Sequence, residues 1–297
     1  VPNRPAAATA APFLVLLGLV CQEAGASVAV LVFPTAGPVG MVALRLLFSA
    51  VVLIPLAWRS LNRGLLAHWR VLVGYGGALA AMNVVFYLAI DRIPLGIAVT
   101  IEVLGPLVLS VVASRSRQGL LWAGTAAAGV ALLGGTAHDL DLLGVAFAAA
   151  AAVLWAVYIL MARSAGAALP GVSGLAVAMS LGAVLTMPAA LAINGTTLLQ
   201  PQVLALGFAV AVLSSAIPYG IEISALRHMK AATFGVLMAL APAVAALAGL
   251  VFLDQTLTWG VAMGIVLVSA AGVGAVRSAR PSASERTEGA DFPLAPA

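Results

Sequence analysis

Four ionisable residues stand inside long apolar stretches of this chain: Glu23, Arg45, Glu102 and Glu222. A charge held in such a setting is costly unless it is paired or hydrated, so residues of this kind mark functional positions by default. A sheltered carboxyl can exchange a proton as its surroundings change, and its ionised form can hold an ammonium group. Arg45 carries a planar fork of donors that matches a carboxylate. Together these groups have the chemistry to trade protons for a small solute. The competing account is structural. Arg45 could form a buried ion pair with Glu102 or with Glu23, since buried charge demands compensation. Glu222, near the end of its stretch, could instead reach water along its own stem.

Uncharged polar residues lie in the same stretches. Asn83 and Tyr87 are four apart and share one helix face, and Trp155 with Tyr158 and Tyr219 with Glu222 are three apart. With Thr100 they are candidates to line a cavity, the rings offering an electron-rich face to a cation. The alternative for the aromatic residues is anchoring at the membrane interface or plain packing. Pro106, Pro218 and Pro242 fall inside apolar stretches, where a missing N–H and a clash with the preceding turn kink a helix. The carbonyl so freed must find a partner in protein or a wet cavity.

The elements that position these residues follow from composition. Of 297 residues, 63% are hydrophobic and 8% charged, and mean hydropathy is +1.14. A soluble surface needs roughly a quarter of residues charged, so most of this surface faces lipid. About 20 apolar residues cross a bilayer as a helix. Ten such stretches can be read: 12–33, 38–58, 70–90, 93–114, 119–136, 142–162, 171–193, 202–224, 231–253 and 257–276. The expected fold is therefore all-α and polytopic. Arg4 and the Ala24-Gly25-Ala26 triplet imitate a secretory signal, but apolar residues continue to Phe33, so the first span is expected to be retained.

Orientation follows from Lys and Arg in the short loops. With a cytoplasmic N-terminus, the inner segments hold Arg4, Arg59, Arg63, Arg70, Arg115, Arg117, Arg163, Arg227, Lys230, Arg277, Arg280 and Arg286, and the outer loops only Arg92. Both termini are thus expected in the cytoplasm of a bacterial-type cell, the chain lying in its inner membrane. Residues 1–11 form a short N-terminus and 277–297, rich in Ser, Pro, Ala and charge, a disordered tail.

A weak internal repeat joins Leu104-Gly105-Pro106 to Leu240-Ala241-Pro242, 136 residues later. Five spans in each half would make 12–136 and 142–276 inverted repeats, a plan common in secondary transporters.

The stretch Met82–Pro106, MNVVFYLAIDRIPLGIAVTIEVLGP, is the most specific in the chain. Its Asn83, Phe86-Tyr87, Ala89-Ile90, Arg92 to Gly96, Ala98 to Glu102 and Gly105-Pro106 resemble the EamA branch of the drug/metabolite transporter superfamily, in particular the group of inner-membrane threonine/homoserine exporters. The resemblance implies export of small amino acids or related metabolites, driven by the proton gradient. The expected partners are a small-molecule substrate, protons and the lipid bilayer.

Other classes are disfavoured. His68, His138 and His228 all fall between spans without a ligand partner at i+3 or i+4, and Cys21 is the only cysteine, so no metal site or cofactor is expected. An intramembrane enzyme would assemble His, Ser or Asp near the midplane or an acidic cluster for metal chemistry, whereas here histidine is confined to loops and no acidic pair occurs inside a span. The basic residues are scattered singly, which argues against nucleic acid.

Overall fold

A computed structural model describes residues 4–58, 68–114, 117–136, 140–168, 173–218, 221 and 231–278. Among them every regular element is a helix, making this an all-α polytopic membrane protein. Seven helical stretches are long and apolar enough to cross a bilayer, and Pro201–Ala216 is a shorter apolar helix. The ten expected spans depart from that number at three places: the first two run together, the fifth falls in a helix outside the seven, and the eighth falls on the shorter one.

The helices are α1 (Arg4–Ala57), α2 (Trp69–Ile90), α3 (Leu95–Glu102), α4 (Leu104–Ser114), α5 (Arg117–Thr136), α6 (Leu142–Ala168), α7 (Ser173–Asn194), α8 (Pro201–Ala211), α9 (Ala231–Met238), α10 (Ala241–Phe252) and α11 (Trp259–Ser278). Straight, α1 would be about 80 Å long, far more than a bilayer core. It breaks at Gly37, whose φ of 63° and ψ of 161° only glycine adopts readily. Pro34 and Pro38 flank the break. The break lies between the first two expected spans.

The span expected at 93–114 is two helices. α3 stops at Glu102 and α4 starts at Leu104, because Pro106 has no N–H to offer the carbonyl four residues back. The same interruption recurs before Pro242: α9 ends at Met238 and α10 begins at Ala241. The two breaks stand 136 residues apart. In the run after α8, Val212–Ala216 winds as a π turn before Pro218.

Packing uses small residues, as lipid-embedded helices require. At Gly105 a Cβ would collide with the carbonyl of Ala152, so α4 and α6 meet backbone to backbone beside the α3–α4 break. We expect Gly105→Ala to destabilise the protein by about 1–3 kcal/mol. Gly124→Ala, where nothing lies within 4 Å, should leave the thermal midpoint in detergent unchanged or slightly raised.

Candidate functional site

A cavity of about 380 Å³ lies where the two broken helices face α1, α2, α6 and α11. Glu23 and Arg45 reach it from either side of the α1 break, Asn83 from α2, Glu102 from the last turn of α3, and Trp155 and Tyr158 from α6. Glu23 is 3% exposed and Glu102 9%. Arg45 acts electrostatically on both carboxyls, and Glu23 acts on Glu102. Three ionisable side chains picked out in the sequence therefore share one chamber.

Arg45 is held by a specific cradle. Its Nε donates to Ser215 Oγ at 3.3 Å, one terminal nitrogen donates to Tyr87 Oη at 3.3 Å, and the other donates to the Ser214 carbonyl at 3.0 Å. The guanidinium also lies 5.7 Å from the Tyr87 ring centre, within reach of a cation–π attraction. The Ser214 carbonyl is available for a definite reason. In an α-helix it would accept from the backbone N–H of residue 218, and Pro218 has none. The π turn and its proline thus prepare a buried acceptor, and Arg45 fills it. Ser214 Oγ in turn donates to the Gln22 carbonyl at 3.3 Å, tying this turn to α1 next to Glu23.

The remaining candidates divide. Asn83 lines the cavity and donates through Nδ2 to the Leu79 carbonyl of its own helix at 2.8 Å. Tyr158 stacks on Tyr75 with ring centres 5.2 Å apart, and its hydroxyl accepts from Tyr75 at 3.3 Å. Tyr87 and Thr100 are fully buried outside the cavity wall, Tyr87 behind Arg45 and Thr100 donating to the Gly96 carbonyl. Pro106 lines the cavity and Pro242 is buried just past the second break. Tyr219 and Glu222 lie outside the described residues. Ser214 and Ser215 were missed in the sequence. The signal was available in Pro218, since a proline names the carbonyl it frees four residues earlier.

The cavity lining extends from Glu102 toward one end of the bundle, reaching Ser110 on α4, Phe234 on α9 and Val276 on α11. Two polar contacts join the helices at the opposite end. There Arg92 donates to Asp141 Oδ2 at 2.8 Å, and the N–H of Leu95 donates to Gln255 Oε1 at 3.0 Å. Asp141 also caps α6, accepting from the N–H groups of Leu143 at 2.8 Å and Gly144 at 3.4 Å. The Arg92 guanidinium, aided by these N–H groups, holds the Asp141 carboxyl below its ordinary value of 3.8. A native value that is depressed favours the fold above the ordinary aspartate range, and the benefit is lost as pH falls below it. The latch is therefore intact at neutral pH.

Comparison with known proteins places this geometry. Residues 142–276 match the EamA-like transporter family. The threonine/homoserine exporter RhtA of Salmonella typhimurium is 38% identical over 275 residues, covering 91% of this chain and 92% of its own. RhtA of Escherichia coli is 36% identical over 272 residues, covering 90% and 91%. A chain of known crystal structure superposes with a TM-score of 0.62 at 21% identity, over 92% of this chain and 98% of that one, and speaks to the fold alone.

Removing the guanidinium leaves the Ser214 carbonyl without that donor and two buried carboxyls without the neighbouring positive charge. Arg45→Ala is expected to destabilise the protein by about 3–5 kcal/mol. Tyr87→Phe, which removes one neutral acceptor, should cost about 1–3 kcal/mol. Chemical denaturation in detergent checks both magnitudes and their order.

Proposed function

The chain belongs to the EamA-like transporter family, and from that premise we propose that it exports small amino acids of the threonine and homoserine kind, exchanging them for protons by alternating access. The observation that carries the reading is the meeting of two carboxyls and one guanidinium at a cavity of about 380 Å³. That volume stands at the small end of the range for ligand sites, about 300–1,000 Å³. It suits an amino acid with a short side chain better than a drug-sized molecule. A solute carboxylate would take donors from Arg45, and its ammonium would take the charge of Glu102 or Glu23. When the solute leaves, a proton on the carboxyl would restore compensation, so the charged site need never be left bare.

The same reading assigns the helices to two inverted halves, 12–136 and 142–276, with five spans in each. Its support is the recurrence of the α3–α4 break in the α9–α10 break at a spacing of 136 residues, each followed by a proline and each bordering the cavity. Discontinuous helices at the repeat interface are where such transporters hold their cargo. The position equivalent to Glu102 in the second half is Met238. Proton exchange at the breaks then falls to the first half alone.

In this account the open end of the cavity is cytoplasmic, because Arg117 and Arg277 lie at that end in loops and helix tips that the charge bias assigns inside. The Arg92–Asp141 pair and the Gln255 contact form the closed outer gate. Both termini are cytoplasmic, in a bacterial-type inner membrane.

The functional test uses proteoliposomes. An imposed pH gradient should drive uptake of labelled threonine or homoserine against its concentration, and Glu102→Gln should abolish that drive. Undiminished pH-driven uptake by the variant would remove Glu102 from the mechanism. Flux of unrelated metabolites without any amino-acid flux would favour a broader exporter.

The gate is tested by labelling. In a Cys21→Ser background, a cysteine at Met82 should react with an impermeant maleimide mainly from the cytoplasmic face. Adding Arg92→Ala should raise labelling from the outer face severalfold, since the closed state loses its ion pair.

A further inference from the structure

Size cannot separate threonine from valine. The two side chains branch alike, a methyl in one standing where the other carries a hydroxyl, so a cavity shaped for the first admits the second. Telling them apart takes a polar atom at the depth of the solute side chain, free until the solute arrives. Asn83 offers one.

Asn83 is 5% exposed and lines the central cavity. Its amide has a fixed orientation. Nδ2 donates to the Leu79 carbonyl at 2.8 Å, and a flipped amide would set two oxygens against each other, since a carbonyl only accepts. Oδ1 is therefore the end turned away from Leu79, and it accepts from no group among the described residues. The side-chain atoms sealed from solvent without a partner among those residues are Ser49 Oγ and Ser269 Oγ, so Asn83 Oδ1 is open to an incoming donor. The Leu79 carbonyl already takes the backbone N–H of Asn83 within α2. The side-chain bond is thus an addition that aims the amide.

The other polar groups of the wall suit a hydroxyl donor less well. Gln22 is hydrogen-bonded to Glu23, and Tyr158 accepts from Tyr75. The Trp155 indole has a donor and no acceptor. Ser110 stands toward the open end. Asn83 is also in register with Arg45. Tyr87, whose hydroxyl meets the guanidinium, follows Asn83 by one turn of α2, about 6 Å.

We propose that Asn83 selects solutes with a side-chain hydroxyl, its Oδ1 accepting from that O–H while Arg45 holds the carboxylate. This selectivity presupposes the amino-acid export proposed for the same cavity, and it adds what separates threonine and homoserine from apolar amino acids of equal size. Valine sets a methyl group against Oδ1, which loses water and gains no donor. Homoserine carries its hydroxyl one bond further out, and norvaline is its apolar match.

The test measures pH-driven uptake into proteoliposomes for the two pairs, threonine with valine and homoserine with norvaline. Wild type should favour the hydroxylated member by about fivefold in kcat/KM, the effect of one neutral hydrogen bond. Asn83→Leu, similar in shape and without polar atoms, should bring both ratios to about one, and so should Asn83→Ala. A purely structural role for Asn83 would lower both members of a pair alike and leave the ratio standing. For a variant with slow turnover, the same ratio is read from the concentrations of each solute that raise its thermal midpoint in detergent. Equal uptake of threonine and valine by wild type, or an undiminished ratio in the variants, would overturn the proposal and spare the exporter reading. Absence of pH-driven uptake for all four solutes in wild type would remove the exporter reading and this selectivity with it.

Discussion

The structure depends on keeping one guanidinium solvated by protein. Arg45 sits half-buried on a helix that is otherwise almost wholly apolar. Its donors are met by Ser215, Tyr87 and the carbonyl of Ser214. That carbonyl exists as an acceptor only because Pro218 cannot occupy it from within the helix. The π turn, the proline and the tyrosine are thus one device. What it achieves is a fixed positive charge beside two carboxyls in a chamber whose other lining is mostly apolar, with Gln22, Asn83, Ser110 and Tyr158 as polar exceptions.

Once that charge is fixed, the rest of the site follows from compensation. Two carboxyls and one guanidinium cannot all be ionised there without a net charge, and a buried net charge is expensive. A proton or a cationic group of a solute removes the imbalance, and either can be exchanged for the other. In the proposed cycle the broken helices would supply the means of movement. Pro106 and Pro242 interrupt the hydrogen-bond ladder beside the cavity, so each half-helix can tilt about a defined point rather than deform along its length. Among the described residues, the contacts at the far end are an exposed ion pair and one amide contact. Exposed pairs contribute little stability, as a gate that opens in every turn of the proposed cycle would require.

Much of this was legible in the sequence because the bilayer permits so few solutions. Apolar stretches of about 20 residues must be helices, and Glu23, Arg45 and Glu102 stood out as charges where charge is rare. Pro106 and Pro242 announced the breaks by chemistry alone. The partners of those residues were not legible. Nothing in a linear pattern places Ser214 and Ser215 beside Arg45, 169 and 170 residues away. Tyr87 was read as a cavity wall, yet it stands behind the arginine, because sharing a helix face with Asn83 fixes a direction but not a depth. Gln255 lies between two expected spans, and nothing in the sequence singles it out. Its contact with Leu95 depends on Asp254 turning the backbone through a positive φ of 50°, a local event that sequence spacing does not encode.

The account's central claim is that a carboxyl of the cavity gives up its proton when the solute's ammonium arrives. Purified protein in weakly buffered detergent, titrated with threonine while pH is followed, tests it most directly. Release of protons in proportion to bound solute, absent when Glu23 and Glu102 are both replaced by glutamine, is the predicted result. Binding of threonine with no proton released from the unaltered protein would contradict it.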